Sequence, residues 1–270
     1  MTEAQKVIKI IAMAFAIFLC VTIIGGILAG ITGIMYLFSD KDRTPGDMEL
    51  YPISGEISSL SVDLGAADLQ IQIGQAFSVE SDHEYVSVEV KDGKLSIRET
   101  KKVFSFSSKG ITVVLTVPEG FVFDEADIET GAGKLRMDAL STDILELSLG
   151  AGEAKIQNLT VNFHADIEGG AGVLSIDGGK INNLRLDMGV GELKLKCRVT
   201  GESNLDMGVG EAKLTLLGTQ EDYRISLDKG IGQATLSGES MRDDGVYGTG
   251  ENSIDIDGGV GSIRIVFSEE

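Results

Sequence analysis

The chain has 270 residues, of which 42 are acidic and 23 basic, for a net charge of −19. That imbalance excludes a nucleic-acid interface and opposes docking onto an anionic lipid surface. The only cysteines, Cys20 and Cys197, are too far apart in sequence and setting to build a disulfide framework, and aromatics at 6% are too few to wall a ligand cleft.

Residues 1–9 form a short tail carrying Lys6 and Lys9. The run Ile10–Phe38 is 29 residues without a charge, long enough for one transmembrane helix with tilt. The flanking lysines place the tail in the cytoplasm and everything after the helix outside it, as a single-pass protein of the cell membrane. A cleaved signal peptide is the alternative. The run is too long for a signal core, no small-x-small cleavage site follows it, and Leu19 before Cys20 spoils a lipoprotein site. Gly26 and Gly30, with Ala29 and Gly33, follow the small-xxx-small pattern that lets helices dimerise. Residues 39–52 read as a linker and residues 53–270 as one β-repeat domain. The first 43 residues hold four basic and three acidic side chains, so the remainder carries 19 basic and 39 acidic, a net of −20.

Within the domain, Tyr85–Val90 and Lys94–Arg98 alternate around Asp92-Gly93, a hairpin signal. Lys101–Lys109 is polar and reads as an exposed loop. Ile111–Val117 is a further strand, closed by Pro118.

A nine-residue phrase then dominates: acidic, any, Gly, small apolar, Gly, polar, apolar, any, apolar. Its eight copies begin at Asp63, Glu129, Ser148, Glu168, Asp187, Asp206, Asp228 and Asp257. From Gly131 to Gly208 the first glycines are spaced by 19, 20, 19 and 19 residues. A fixed period near 20 means stacked coils. The expected fold is therefore all-β: a parallel β-solenoid, β-helix- or β-roll-like, with coils of 19–20 residues, behind the transmembrane helix. Three residues before the first glycine every copy is apolar (Val62 to Ile256), and so is the residue just after it (Ala66 to Val260). Both are expected to face inward, as are the residues four and six positions after it, such as Leu193 and Leu195. The second pair has the opposite parity, so the glycines mark a corner between two short strands. Gly230 to Gly259 spans 29 residues, which places an insertion around Met241–Gly250.

Candidate chemistry is sparse. His83 and His164 have no partner in a nucleophile motif, and the short loops leave no walled groove for a glycan-active β-helix enzyme. Gly169-Gly-Ala-Gly superficially matches the calcium-binding β-roll, but Leu174 stands where that motif needs aspartate. The acidic column is the one sharp candidate. Seven of its eight members are carboxylates on the outward parity. Glu168, Asp187, Asp206 and Asp228 are the candidate ligands for weak divalent-cation binding. A partly basic column five residues after the glycine, including Arg136, Lys155, Lys194, Lys213 and Arg264, would relieve the ladder if the corner brought the two together.

The membrane helix, the Asp92-Gly-Lys-Leu-Ser-Ile hairpin, the run Ile111-Thr-Val-Val-Leu-Thr-Val-Pro and the Gly-Ala-Gly phrases together resemble the bacterial adhesin-like family of β-strand repeat proteins of unknown function. The resemblance spans Ile53–Phe267. It implies a β-solenoid in a bacterial envelope protein and transfers no catalytic residues. The function expected is a non-enzymatic, adhesin-like surface module that meets an envelope protein or glycan. A cell-envelope regulatory or stress-response component acting through membrane partners is the alternative, and a glycan-active enzyme a weaker one. No cofactor is implied.

Overall fold

The computed structural model describes residues 48–100 and 111–269. The transmembrane helix at residues 10–38 with its dimerisation face, the tail and the Lys101–Lys109 loop lie outside them. Among the described residues no helix is long and apolar enough to cross a membrane.

The described chain is almost entirely strand. β1 (Glu49–Tyr51) lies within the stretch read as linker. It is followed by β2 (Ser59–Leu64), β3 (Ala67–Gly74), β4 (Ser78–Ser81), β5 (Val86–Lys91), β6 (Lys94–Glu99) and β7 (Ile111–Pro118). Long strands come next: β8 (Phe123–Met137), β9 (Leu140–Ile156), β10 (Leu159–Ile176), the short β11 (Gly179–Asn182), β12 (Leu184–Thr200) and β13 (Glu202–Leu217). After a 3-10 turn at Gln220–Asp222 come β14 (Tyr223–Asp228), β15 (Ile231–Leu236), β16 (Glu239–Ser240), β17 (Gly245–Tyr247) and β18 (Asn252–Ser268).

The coils stack in parallel and in register, copy on copy. Glu168 pairs with Asp187, Leu186 with Leu205, and Asp206 with Asp257. Each long strand runs through the glycine corner without a break, where two short strands per coil were expected. Its second glycine holds a positive φ, +146° at Gly191 and +147° at Gly210. A Cβ at Gly191 would lie 1.8 Å from the Gly172 carbonyl oxygen. Close backbone approach and unusual angle therefore act together there.

The inward columns before and after the corner hold. Val62, Ile128, Leu147, Ile167, Leu186, Leu205, Leu227 and Ile256 are buried, as are Leu193, Leu195, Ile263 and Ile265. The residue between the two glycines does not. Ile231 is 73% exposed and Val260 47%. The inward position is instead the residue just before the first glycine, with Leu64, Met188 and Met207 buried. The pleat continues to that point, and the turn then rotates the next side chain out.

Stacking order departs from chain order at both ends. β2–β3 sits between β6–β7 and β8. β18 sits between β13 and β14–β15. Short antiparallel strands cover the outer coils: β5 on β6, β4 on β7, β1 on β4, and at the far end β17 on β14 and β16 on β15. Such covers protect edges that would otherwise recruit other strands. The β5–β6 hairpin turns at Asp92-Gly93 as the sequence indicates, with φ of +51° and +79°. The segment read as an insertion supplies β17.

Candidate functional site

The acidic column is a spatial ladder. In stacking order it reads Asp63, Glu129, Ser148, Glu168, Asp187, Asp206, Asp257, Asp228. Asp257, not Asp228, is the neighbour of Asp206, because β18 takes the layer next to β13. From Glu129 to Asp228 the carboxylates edge an open groove of about 930 Å³. Met188 and Met207, one residue along each strand, and the first glycines of the phrase line it with them. Parallel strands lie about 4.8 Å apart, so the six steps from Glu129 to Asp228 span roughly 29 Å.

Little positive charge reaches this ladder. Two lysines of the basic column are engaged elsewhere. Lys194 and Lys213 both donate to Glu192, at 2.9 and 2.8 Å, and Lys213 also pairs with Glu211 at 3.3 Å. These lysines and their glutamates lie beyond the corner, on the other limb of the coil. They hold Glu192 below the usual glutamate range, the Lys213 hydrogen bond first and then Lys194. On the ladder itself, Arg185 donates to Asp187 at 3.2 Å, an exposed contact. A second outward column, four residues before the glycine, adds Asp127, Glu146, Asp166 and Asp255 to the same face.

The electrostatic result is visible at Asp206. Its carboxyl is raised above the ordinary aspartate value by desolvation first, then by hydrogen bonding to and repulsion from Asp187, and by Asp257. Stacked unit charges about 5 Å apart in water repel by roughly 0.8 kcal/mol before salt screening. Among the described residues, however, no three acidic, histidine or cysteine side chains converge on one point.

The remaining candidates separate cleanly. His83 accepts the Tyr85 backbone N–H through Nδ1 at 3.2 Å, a turn contact. His164 is exposed on β10 opposite Ile144. Neither lines the groove. Cys197 is buried, and desolvation pushes its thiol up to about 12.

Two features went unread in the sequence. Met188 and Met207 carry the parity of Leu186 and Leu205, which was the available signal. Asparagines stabilise a second corner: Asn182 donates to the Asn162 carbonyl at 3.0 Å, Asn183 to the Phe163 carbonyl at 2.8 Å. Asn252 donates to the Asp222 carbonyl at 2.9 Å. These residues do not recur at one fixed offset, so the repeat does not advertise them.

Residues 56–259 match the profile of the Toastrack DUF4097 family. The chain belongs to that family. The repeat core, from the first coil to the corner of the last, falls inside the match. Among solved structures, a candidate adhesin from Bacteroides fragilis aligns with a TM-score of 0.52 at 16% identity, covering 82% of this chain and 98% of that one. At that identity the match speaks to fold. A candidate cell adhesion protein from Clostridium sporogenes aligns at 18% identity over 82% of this chain and 99% of its own, with a TM-score of 0.36. A candidate lipid-binding protein from Parabacteroides distasonis aligns at 19% identity over 83% and 97%, with a TM-score of 0.38. None of the curated proteins matches the chain.

Proposed function

We propose that this Toastrack protein is a non-enzymatic surface module, anchored in the cell membrane by residues 10–38, whose acidic groove receives an extended amine-bearing polymer outside the cytoplasm. One observation carries the reading: Glu168, Asp187, Asp206, Asp257 and Asp228 stack in register while Lys194 and Lys213 of the basic column are engaged with Glu192 and Glu211. A row of like charge with Arg185 on Asp187 as its one described ion pair attracts a partner that carries the opposite charge at intervals along its length. The candidate-adhesin description of the Bacteroides fragilis protein with this fold agrees with a binding role.

The test is capture of oligolysine and glucosamine oligomers by the immobilised full chain, against their N-acetylated counterparts, at low and high salt. Salt-sensitive capture of the cationic forms, lost in the Asp187→Asn, Asp206→Asn, Asp257→Asn triple variant, is expected. Equal capture of neutral and cationic forms, or undiminished capture by the triple variant, would overturn the proposal.

A further inference from the structure

The interior coils follow one another through the stack in chain order. β12 and β13, for example, stack on each other and are joined by Gly201 alone. At the outer edge of β13 this continuity stops. The chain leaves at Leu217, crosses through Gly218–Asp222, and builds β14 and β15 one layer further out. Only then does β18 return to fill the intervening layer. Among the described residues, β14 and β15 pair with β18 and with the short β16 and β17, and with no earlier strand. Residues 223–268 therefore form one unit. Its strand pairing to the rest is the single ladder from Glu202–Ser253 to Leu217–Ser268. A few other bonds cross the junction. The Tyr223 hydroxyl donates to the Leu217 carbonyl at 2.7 Å, and the Gly201 N–H donates to Asn252 at 3.1 Å.

The β13 edge is selective about what it accepts. Any strand in the β18 layer must present glycine at two positions. A Cβ at Gly259 would lie 2.0 Å from the Gly208 carbonyl oxygen, and one at Gly261 1.7 Å from that of Gly210. It must also bring apolar residues opposite Leu205, Ala212 and Leu214, as Ile256, Ile263 and Ile265 do. A strand that meets both conditions in this register is β18 of a second copy.

The geometry points to exchange of the unit β14–β18 between two copies of this chain, each unit docking on the β13 edge of the other with residues 218–222 as the hinge. The exchange breaks one parallel ladder per chain and remakes the same ladder, so the interface is matched by construction. Reciprocal exchange closes as a two-fold dimer; non-reciprocal exchange continues as an open chain. This goes beyond the groove reading and does not depend on it.

The experiment uses the full chain in detergent with Cys20→Ser. Cys197 is buried, with its thiol pushed up to about 12, so it stays silent in the refolded chain. Asn204 and Asp255 are exposed register partners across the junction. Asn204→Cys and Asp255→Cys chains are mixed, partially unfolded, refolded together and oxidised. A covalent heterodimer is expected, more abundant than either homodimer. The Asn204→Cys, Asp255→Cys double variant reports the closed monomer by its internal bond. If that internal bond forms while the mixture yields no heterodimer above homodimer, exchange is refuted. A second mixture, Ser226→Cys with Asp255→Cys, joins positions that travel in the same unit. No heterodimer is expected there, and one equal to the first would refute the unit boundary.

Discussion

The middle coils and the end coils solve the same problem differently. Between β8 and β13 each coil has a copy of itself on both sides. Glycine corners nest backbone on backbone, and the Ala132 N–H bonds the Gly65 carbonyl at 2.6 Å. At the amino-terminal end the neighbouring coil has no glycine corner. There the Glu99 carboxylate accepts the Gly65 N–H at 2.8 Å and the Ala66 N–H at 3.4 Å. At the other end Asp243 accepts the Lys229 N–H at 3.0 Å, and Asp228 accepts that of Gly230 at 3.2 Å. Repetition lets the backbone satisfy itself; where repetition stops, carboxylate side chains take over its bonds. A solenoid has one-dimensional stability, so each end must be sealed locally.

The contrast breaks most sharply in the middle of the stack. Leu205→Asp buries an unpaired charge in a complete apolar column and should cost about 3–5 kcal/mol, seen as loss of a cooperative thermal melt. Gly191→Ala comes next, at about 3 kcal/mol or more, because its Cβ meets carbonyl backbone at 1.8 Å and its φ is +146°. Gly120→Ala is the matched control outside the repeat. Its φ is +74° but nothing lies within 4 Å, so only the conformational cost of about 1–2 kcal/mol should appear. Glu99→Ala removes the acceptor that seals the first corner and should cost about 1–2 kcal/mol by denaturant melt. A cost from Glu99→Ala as large as that of Gly191→Ala would mean the ends, not the middle, hold the stack together.

The smallest effect is Asp206→Asn, below about 1 kcal/mol and stabilising at neutral pH. The sign follows from the raised folded value. The folded state holds the Asp206 proton more tightly than the unfolded state does. Its contribution to stability is therefore complete below the unfolded value near 3.8 and is lost as pH rises through the higher folded value. Glu192, held low, works in the opposite sense, losing its contribution as pH falls. The difference between wild-type and Asp206→Asn melting temperatures should accordingly shrink as pH is lowered from neutral toward 4.

Much of this was legible in the sequence because strand parity and repeat period are written residue by residue. The inward column from Val62 to Ile256, the glycine corner and the outward acidic column all follow from counting by two and by 19 or 20. The side of Ala66 and Val260 was misread because parity cannot be carried through a corner whose glycines rotate the chain. Stacking order at the ends was hidden for another reason. Asp206, Asp228 and Asp257 have equivalent local sequences, so nothing local tells β13 that its neighbour is β18. The partners of Lys194 and Lys213 were equally hidden, since they depend on which limb of the coil each column occupies.

The central claim is that the ladder is a row of carboxylates which Lys194 and Lys213, engaged with Glu192 and Glu211, do not balance and which an external amine polymer therefore engages. The most direct measurement is a carboxyl-carbon NMR titration of Asp206 with and without a lysine oligomer. In the free protein Asp206 should titrate above the ordinary aspartate value, and the oligomer should lower its pKa by stabilising the charged form. An Asp206 titration that the oligomer leaves unchanged would contradict the account.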